Sequence, residues 1–400
     1  MKQTPATDSY LLRWKGDELA VTLTLAAPRA GRAVFRTDLG GDWHDVPMKE
    51  TRPGVFSCAV ALEKVGIFQG KACFFPKGKN LPEWPEGDNL RVKVAPAATR
   101  RANSIYTVFP RQFGGARFQN PEKEPGVKEA QEFLDAKGYS VIPPSGTFRD
   151  VTRALGHIMD DMRFRIVQLL PIFPVPATFA RMGRYGCPFA ATDFLSVDPA
   201  CAEFDPHATP LDQFRELADA VHAKGGALFI DLPANHTGWA STLQTHHPDW
   251  YRHAADGAFV SPGAWGVTWE DLVELDYSHP ALRAYMADVF LFWCRQGVDG
   301  FRCDAGYMIP AEAWTQIVAR VRAEYPDTVF MLEGLGGKLE VTDRLLAESG
   351  LDWAYSEVFQ TYDRAAFEWY LPGAIARAEK YGALVHFAET HDNDRLAKKG

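Results

Sequence analysis

Along residues 10–96 apolar and polar positions alternate in short runs, and beyond residue 103 that rhythm gives way to another. The alternating runs at 20–25, 33–37, 55–60, 70–75 and 90–94 are separated by turn signals such as Gly40-Gly41 and Pro53-Gly54. Period-two alternation with one face buried predicts the strands of a small β-sandwich. After Asn103, short apolar runs at 105–109, 166–170, 227–231, 300–304, 328–333, 353–358 and 383–389 alternate with segments of helical spacing. Strands that recur between helices predict a parallel sheet, either open or closed into a barrel.

The helices announce their starts. Thr209-Pro210-Leu211-Asp212 offers a capping threonine, a proline at the first helical position and an acid in the first turn. Pro280 and Pro310 are expected to play the same first-turn part, and Leu282, Tyr285, Met286, Val289 and Trp293 follow at helical spacing up to a stop at Gly297. The chain therefore divides into a β-sandwich at 1–98 and a (β/α) barrel at 99–400, joined through Pro96-Ala97-Ala98-Thr99-Arg100-Arg101. Residues 237–279, rich in Trp, His, Pro and Gly, are too many for a simple strand-to-helix connection and read as an inserted subdomain. A second long connection spans 111–146. In the sandwich, Trp43, Phe56, Phe74, Phe75 and Trp84 supply either a sugar-stacking surface or simply a core.

Composition narrows the partners. With 400 residues, 46% of them hydrophobic, the chain has material for a large core, and its net charge of -8 comes without any basic block. That balance argues against nucleic acid and anionic membranes as partners and leaves uncharged substrates open. The first eight residues lack the apolar core of a signal peptide and no run approaches a membrane span, so the expected location is the cytoplasm. The six cysteines include no CxxC pair, which fits reduced thiols.

Chemistry gathers at the ends of the barrel strands. In Gly300-Phe301-Arg302-Cys303-Asp304 the alternation of a strand puts Arg302 and Asp304 on one face, with Phe301 and Cys303 on the other. Such a pair is either a buried structural ion pair or a catalytic one. Three more runs end in polar residues: Phe229-Ile230-Asp231-Leu232-Pro233-Ala234-Asn235-His236, Phe330-Met331-Leu332-Glu333 and Glu389-Thr390-His391-Asp392. All carboxyl ends of a βα-barrel open on one face, so Asp304, Glu333 and Asp392 are expected to converge there.

These four segments resemble the four signature regions of the α-amylase family of glycoside hydrolases, in the family's order, within a likeness that spans about residues 103 to 395. Tyr185-Gly186-Cys187-Pro188-Phe189 and Ile105-Tyr106-Thr107-Val108-Phe109-Pro110 are similar to the family's segments after the second strand and at the first. The resemblance implies a (β/α)8 TIM-type barrel, here apparently incomplete before its eighth strand. It implies that Asp304 is the nucleophile, Glu333 the general acid and base, and Asp392 the third carboxylate, which grips the sugar. Substrate-binding roles follow for Arg302, Asp231, His236, His391 and Phe189, although each histidine alone also suits a structural role and Phe189 also suits a core. Asn235 matches the asparagine that in many members helps hold a structural calcium. The chemistry itself asks for no cofactor, and the segment 237–279 offers no clear acidic cluster for such an ion.

The physical logic agrees with those roles. Retention needs one ionised carboxylate at the anomeric carbon and one protonated carboxyl at the leaving oxygen, about 5 to 5.5 Å apart. Where many amylases carry a lysine and a histidine after the nucleophile, this chain has Tyr307-Met308, and the aglycone preference stays open. The reading is a retaining glycoside hydrolase acting on α-glucans or maltooligosaccharides. A maltosyltransferase-like transglycosylase is the alternative, to which the segment His247-Pro248-Asp249-Trp250 also points, and a non-catalytic glucan-binding protein is the reading from another class.

Overall fold

The computed structural model of the chain describes residues 1–101, 103–114, 126–139, 145–177, 179–183, 185–334, 338–356, 363–387, 389–393 and 396–399. They form two compact units: Met1–Ala102 with Val318–Val329 and Lys338–His386, and Asn103–Ile317 with Phe330–Gly337 and Phe387–Gly400. The division expected at residue 98 is thus only part of the boundary, because two later segments join the first unit.

In that first unit, β1 (Lys2–Thr4), β2 (Tyr10–Trp14), β3 (Glu18–Thr24), β4 (Gly31–Thr37), β5 (His44–Arg52), β6 (Val55–Ala61), β7 (Gly66–Pro76) and β8 (Leu90–Ala95) make one sheet in the order β1-β3-β6-β5-β4-β7-β8-β2. Alternation sends Leu19, Val21 and Leu23 of β3 inward, and the ring of Phe56 on β6 meets that of Phe74 on β7 at 5.6 Å. Those two strands are not neighbours in the sheet, so it folds back on itself around a shared core. The bend falls in β5, whose first half pairs with β4 and whose second half pairs with β6 across a register shift. Pro47, opposite Val34 in the first half, lacks an N–H, and a segment paired on one side tolerates that loss. Of the aromatic set read from the sequence, Phe56 and Phe74 are core, while Trp43 and Trp84 are 54% and 39% exposed.

The second unit holds β9 (Ile105–Val108), β10 (Ile166–Leu169) and β11 (Ala227–Leu232), which pair in parallel. A detour follows through β12 (His236–Gly238), β13 (Gly263–Ala264), β14 (Val267–Thr268) and β15 (Leu272–Glu274), in which β12 pairs with β15 and β13 with β14, both antiparallel. Next come β16 (Gly300–Cys303), parallel to β11, and β17 (Val329–Leu332), next to β16 in the sheet. The burial of β10, β16 and β17 is unbroken, as befits parallel strands covered on both faces. Among their helices are α1 (Val127–Ala136), α2 (Phe148–Leu155), α3 (Pro210–Ala223), α4 (Thr242–His246), α5 (Pro280–Arg295) and α6 (Ala311–Glu324). Thr209 and Asp212 form the full capping box at α3, with Pro210 at its first turn. Pro280 opens α5 as expected, whereas Pro310 stands one residue before α6.

The register turns Phe301 and Phe330 toward the helices. Phe290 of α5 meets their rings at 4.7 and 5.5 Å and that of Trp314 at 6.0 Å. Arg302, one residue on from Phe301, consequently faces the opposite side, toward the barrel interior. Gly300 is needed there, since a Cβ would lie 2.5 Å from the Phe229 ring. Of the long connection 111–146, residues 115–125 and 140–144 are outside the described set.

Back in the first unit are α7 (Leu339–Glu348), β18 (Trp353–Tyr355), α8 (Arg364–Lys380) and β19 (Leu384–Val385), with β18 and β19 paired in parallel. The strand expected at 353–358 is described only as far as Ser356, and residue 388 of the strand expected at 383–389 is also outside the described set. Helix ends leave carbonyls without partners, and here side chains of the β-sheet supply the donors. Fully buried Lys93 of β8 donates to the carbonyls of Leu346, Leu351 and Tyr381 at 2.8, 2.5 and 2.7 Å. Tyr10 of β2 donates to Ala347 O at 3.0 Å. Burial pulls Lys93 down to about 7, but three acceptors around one nitrogen call for the three donors of the ammonium, and two helix C-termini favour a cation. We expect Lys93→Met to lower unfolding stability by about 3 kcal/mol, because the three carbonyls then lose their donor in a dry site. Urea denaturation checks this, and a loss confined to a few tenths would contradict it.

Candidate active site

The site is built upward from the register of β11 and β16. Asp231 lies opposite Arg302, so both side chains emerge on the same inner face. Arg302 Nη1 reaches Asp231 Oδ1 at 3.0 Å and Oδ2 at 2.9 Å, and it also pairs with Asp304. Its second terminal nitrogen, Nη2, is 2.6 Å from Glu333 Oε1. One guanidinium therefore gathers three carboxyl groups from three adjacent strand ends. A planar fork holds Asp304 and Glu333 on two separate nitrogens in fixed directions, which the single ammonium of a lysine does not offer.

Asp231 and Arg302 are completely buried, whereas the side chains of Asp304 and Glu333 keep 12% exposure. The charged groups of Asp231 and Arg302 meet each other, and Arg302 also meets Asp304 and Glu333, the geometry a supporting role asks of Asp231 and an orienting one asks of Arg302. Glu333 is fixed from its other oxygen as well, since Ala305 N–H donates to Oε2 at 2.7 Å. That donor is aimed by the left-handed backbone of Ala305, φ 45° and ψ 26°, immediately after Asp304. Nothing in the sequence but a small residue after the aspartate pointed to it.

One cation cannot keep three buried carboxyl groups ionised together. Burial raises Asp231, Asp304 and Glu333 above the ordinary carboxylate range, and Arg302 opposes it in each. Asp392 is raised too, by burial and by Glu333, with Arg302 again opposing. His236 Nε2 sits 3.8 Å from Asp304 Oδ2, and burial takes its pKa down to about 4, so the ring is neutral at pH 7. Close by, Phe189 stacks on His391 at 5.4 Å with ring planes 17° apart, and Arg302 Cζ lies 5.7 Å from the Phe189 ring. His391 Nε2 is 3.2 Å from Asp392 Oδ2. The structure thus brings Asp231, Arg302, Asp304, Glu333, His236, Phe189, His391 and Asp392 into one cluster.

Asn235 donates its amide Nδ2 to Met308 Sδ at 3.6 Å, a contact that leaves the role of its Oδ1, the atom a calcium would bind, undecided. Among the described residues no three His, Cys, Asp or Glu side chains gather around a metal position.

Parallel strands in chain order with polar groups at one set of ends define a TIM-barrel-like fold with an acidic, arginine-centred site. The family model "Alpha amylase, catalytic domain" matches residues 108–348, and the chain belongs to the α-amylase family. Among solved structures, an α-amylase from Lactobacillus plantarum aligns with a TM-score of 0.57 and 28% identity over 74% of this chain and 64% of that one. A cyclomaltodextrinase aligns with a TM-score of 0.58 and 17% identity over 98% of this chain and 71% of the other, a likeness of fold. Among curated relatives, an alpha-1,4-glucan:maltose-1-phosphate maltosyltransferase of Burkholderia pseudomallei (strain K96243) is 33% identical over 217 residues, 50% of this chain and 19% of the relative. The protein of the same name from Myxococcus xanthus (strain DK1622) is 30% identical over 197 residues, 47% of this chain and 29% of the relative. The matches therefore take in less than a third of either curated relative. Among the described residues no helix is long and apolar enough to cross a membrane.

Proposed function

We propose that the chain carries a retaining, α-glucan-active site that transfers maltosyl units, with Asp304 as nucleophile and Glu333 as acid and base. The observation that carries this reading is the Arg302 fork, which holds both carboxylates by one guanidinium and so supports the short separation that retention needs. In the first step an Asp304 oxygen attacks the anomeric carbon as the bond to the leaving oxygen breaks, and Glu333 gives that oxygen its proton. In the second, Glu333 takes a proton from the acceptor hydroxyl, whose oxygen displaces Asp304. Neither step requires a metal or cofactor. Asp392, His391 and the neutral His236 would bind sugar hydroxyls, and Phe189 offers an apolar face beside them.

The two steps are common to transfer and hydrolysis. The likeness to the maltosyltransferases favours transfer from maltose 1-phosphate to a glucan, and the likeness to the Lactobacillus plantarum amylase favours hydrolysis as the second reading. Incubation with maltose 1-phosphate and maltohexaose separates them. Transfer gives products longer by two glucose units with release of phosphate, whereas shorter products alone support hydrolysis. Labelling by a mechanism-based α-glucosyl fluoride is expected at Asp304, and a label elsewhere overturns its role.

The pH profile follows from the shifts. Asp304 works ionised and is raised by burial, so kcat/KM falls as pH drops through a pKa above the ordinary aspartate range. Glu333 works protonated and is likewise raised, so activity falls again as pH rises through its pKa. A bell is expected, and activity flat to pH 10 contradicts the assignment of Glu333.

A further inference from the structure

A trail of aromatic rings leads away from the catalytic cluster along the inserted segment. Its first member, His236, lies beside Asp304 and packs against Trp269 with ring centroids 6.2 Å apart. The next residue, Glu270, accepts a 2.8 Å hydrogen bond at its backbone carbonyl from Trp239 Nε1. That bond fixes the Trp239 indole, which then meets the edge of Phe179 at 5.6 Å. Trp269 and Trp239 are half-buried, and Phe179 is 68% exposed. Trp239 follows His236 by three residues, about 10 Å of extended chain, which places it beyond a sugar in contact with the nucleophile.

We propose that Trp239 and Phe179 form a remote subsite that stacks on a glucose unit of a long α-glucan reaching out of the catalytic cleft. The site rests on the α-glucan reading above and extends it to chain length. Three observations select a glucan as occupant. The trail is continuous with the catalytic cluster, its outer end is open to solvent, and one indole is held in a fixed plane by a backbone acceptor. A rigid aromatic face suits the C–H face of a sugar and loses little conformational freedom on binding. Phe179 lies in the connection after β10 and Trp239 directly after β12. Their rings meet at 84°, with Phe259 propping Trp239 at 6.2 Å, so the two segments supply a corner in which one ring underlies the sugar and the other walls its edge.

The test compares kcat/KM for maltoheptaose with kcat/KM for α-glucosyl fluoride, a substrate too short to reach the platform. For Trp239→Ala the ratio is expected to fall about tenfold, the equivalent of one stacking contact, and for Phe179→Ala several-fold, with Trp239→Phe restoring most of the loss. Phe179 is exposed enough that its removal leaves the fold intact, so Phe179→Ala decides the matter if Trp239→Ala does not fold. Calorimetric titration with maltoheptaose and with glucose keeps the two proposals apart. If the native chain turns over no α-glucoside but Phe179→Ala still weakens maltoheptaose binding relative to glucose, the catalytic reading fails and the subsite stands. An unchanged ratio together with unchanged maltoheptaose binding overturns the subsite. So does an unchanged ratio with a variant that becomes monomeric where the native chain self-associates, because the rings then serve contact between copies.

Discussion

Replacing Asp304 with asparagine is expected to cut kcat/KM by roughly four orders of magnitude on any α-glucosyl substrate while the thermal transition stays where it was. An amide is nearly isosteric with the carboxylate but cannot form the ester to the anomeric carbon. The fold should not suffer, because Arg302 keeps Asp231 and Glu333 as partners and the cluster sheds one of its crowded carboxyl groups. A sharper test uses Asp304→Gly with α-glucosyl fluoride and added azide. The small anion enters the vacated space and displaces fluoride, which needs no acid catalyst, and the product is expected to be the β-glucosyl azide. Azide rescue separates a missing nucleophile from a damaged site. If Asp304→Asn kept near-native turnover, or the azide product kept the α configuration, the covalent role of Asp304 would be wrong.

The sequence revealed the ends of the barrel strands better than the sandwich, and the reason is physical. Runs such as Val329–Leu332 are apolar throughout because both faces are covered, and each stops at a polar residue where the cleft opens. The capping box at Thr209 was equally visible, since its determinants lie within four residues. Strand β5 was missed: it carries Pro47 and a majority of exposed positions, because each half pairs with only one neighbour. Lys93 was invisible for the opposite reason. A lysine in a strand reads as solvent-facing, and its three acceptors lie 253, 258 and 288 residues away. In the site, the motif gave the residues but not their relations. That Asp231 shares the guanidinium with Asp304 depends on the pairing of β11 with β16, and that Ala305 donates to Glu333 depends on a left-handed turn.

Arg302 is where stability and chemistry are most tightly joined, and its removal is expected to cost both. In Arg302→Met, Asp231, Asp304 and Glu333 remain in a buried cluster with no cation at its centre, a broken ion-pair arrangement of the kind that costs about 3–5 kcal/mol. The sign with pH follows. Without the guanidinium, the folded-state pKa values of these three groups rise further above their unfolded values. Their contribution is then fully present below the unfolded carboxylate pKa and is lost as pH climbs through the folded ones. The deficit of the variant should therefore be small near pH 4 and largest at neutral pH, as urea denaturation at the two pH values will show. Arg302→Lys serves as the partner experiment. It returns the charge, and with it much of the neutral-pH stability, but a single ammonium cannot hold Asp304 and Glu333 through two separate nitrogens. Its kcat should stay low by about a hundredfold, on the scale expected when reacting groups are misplaced by about 1 Å. Should Arg302→Met prove as stable as the native chain at pH 7, or Arg302→Lys recover full kcat, the guanidinium is not the organiser of the three carboxylates.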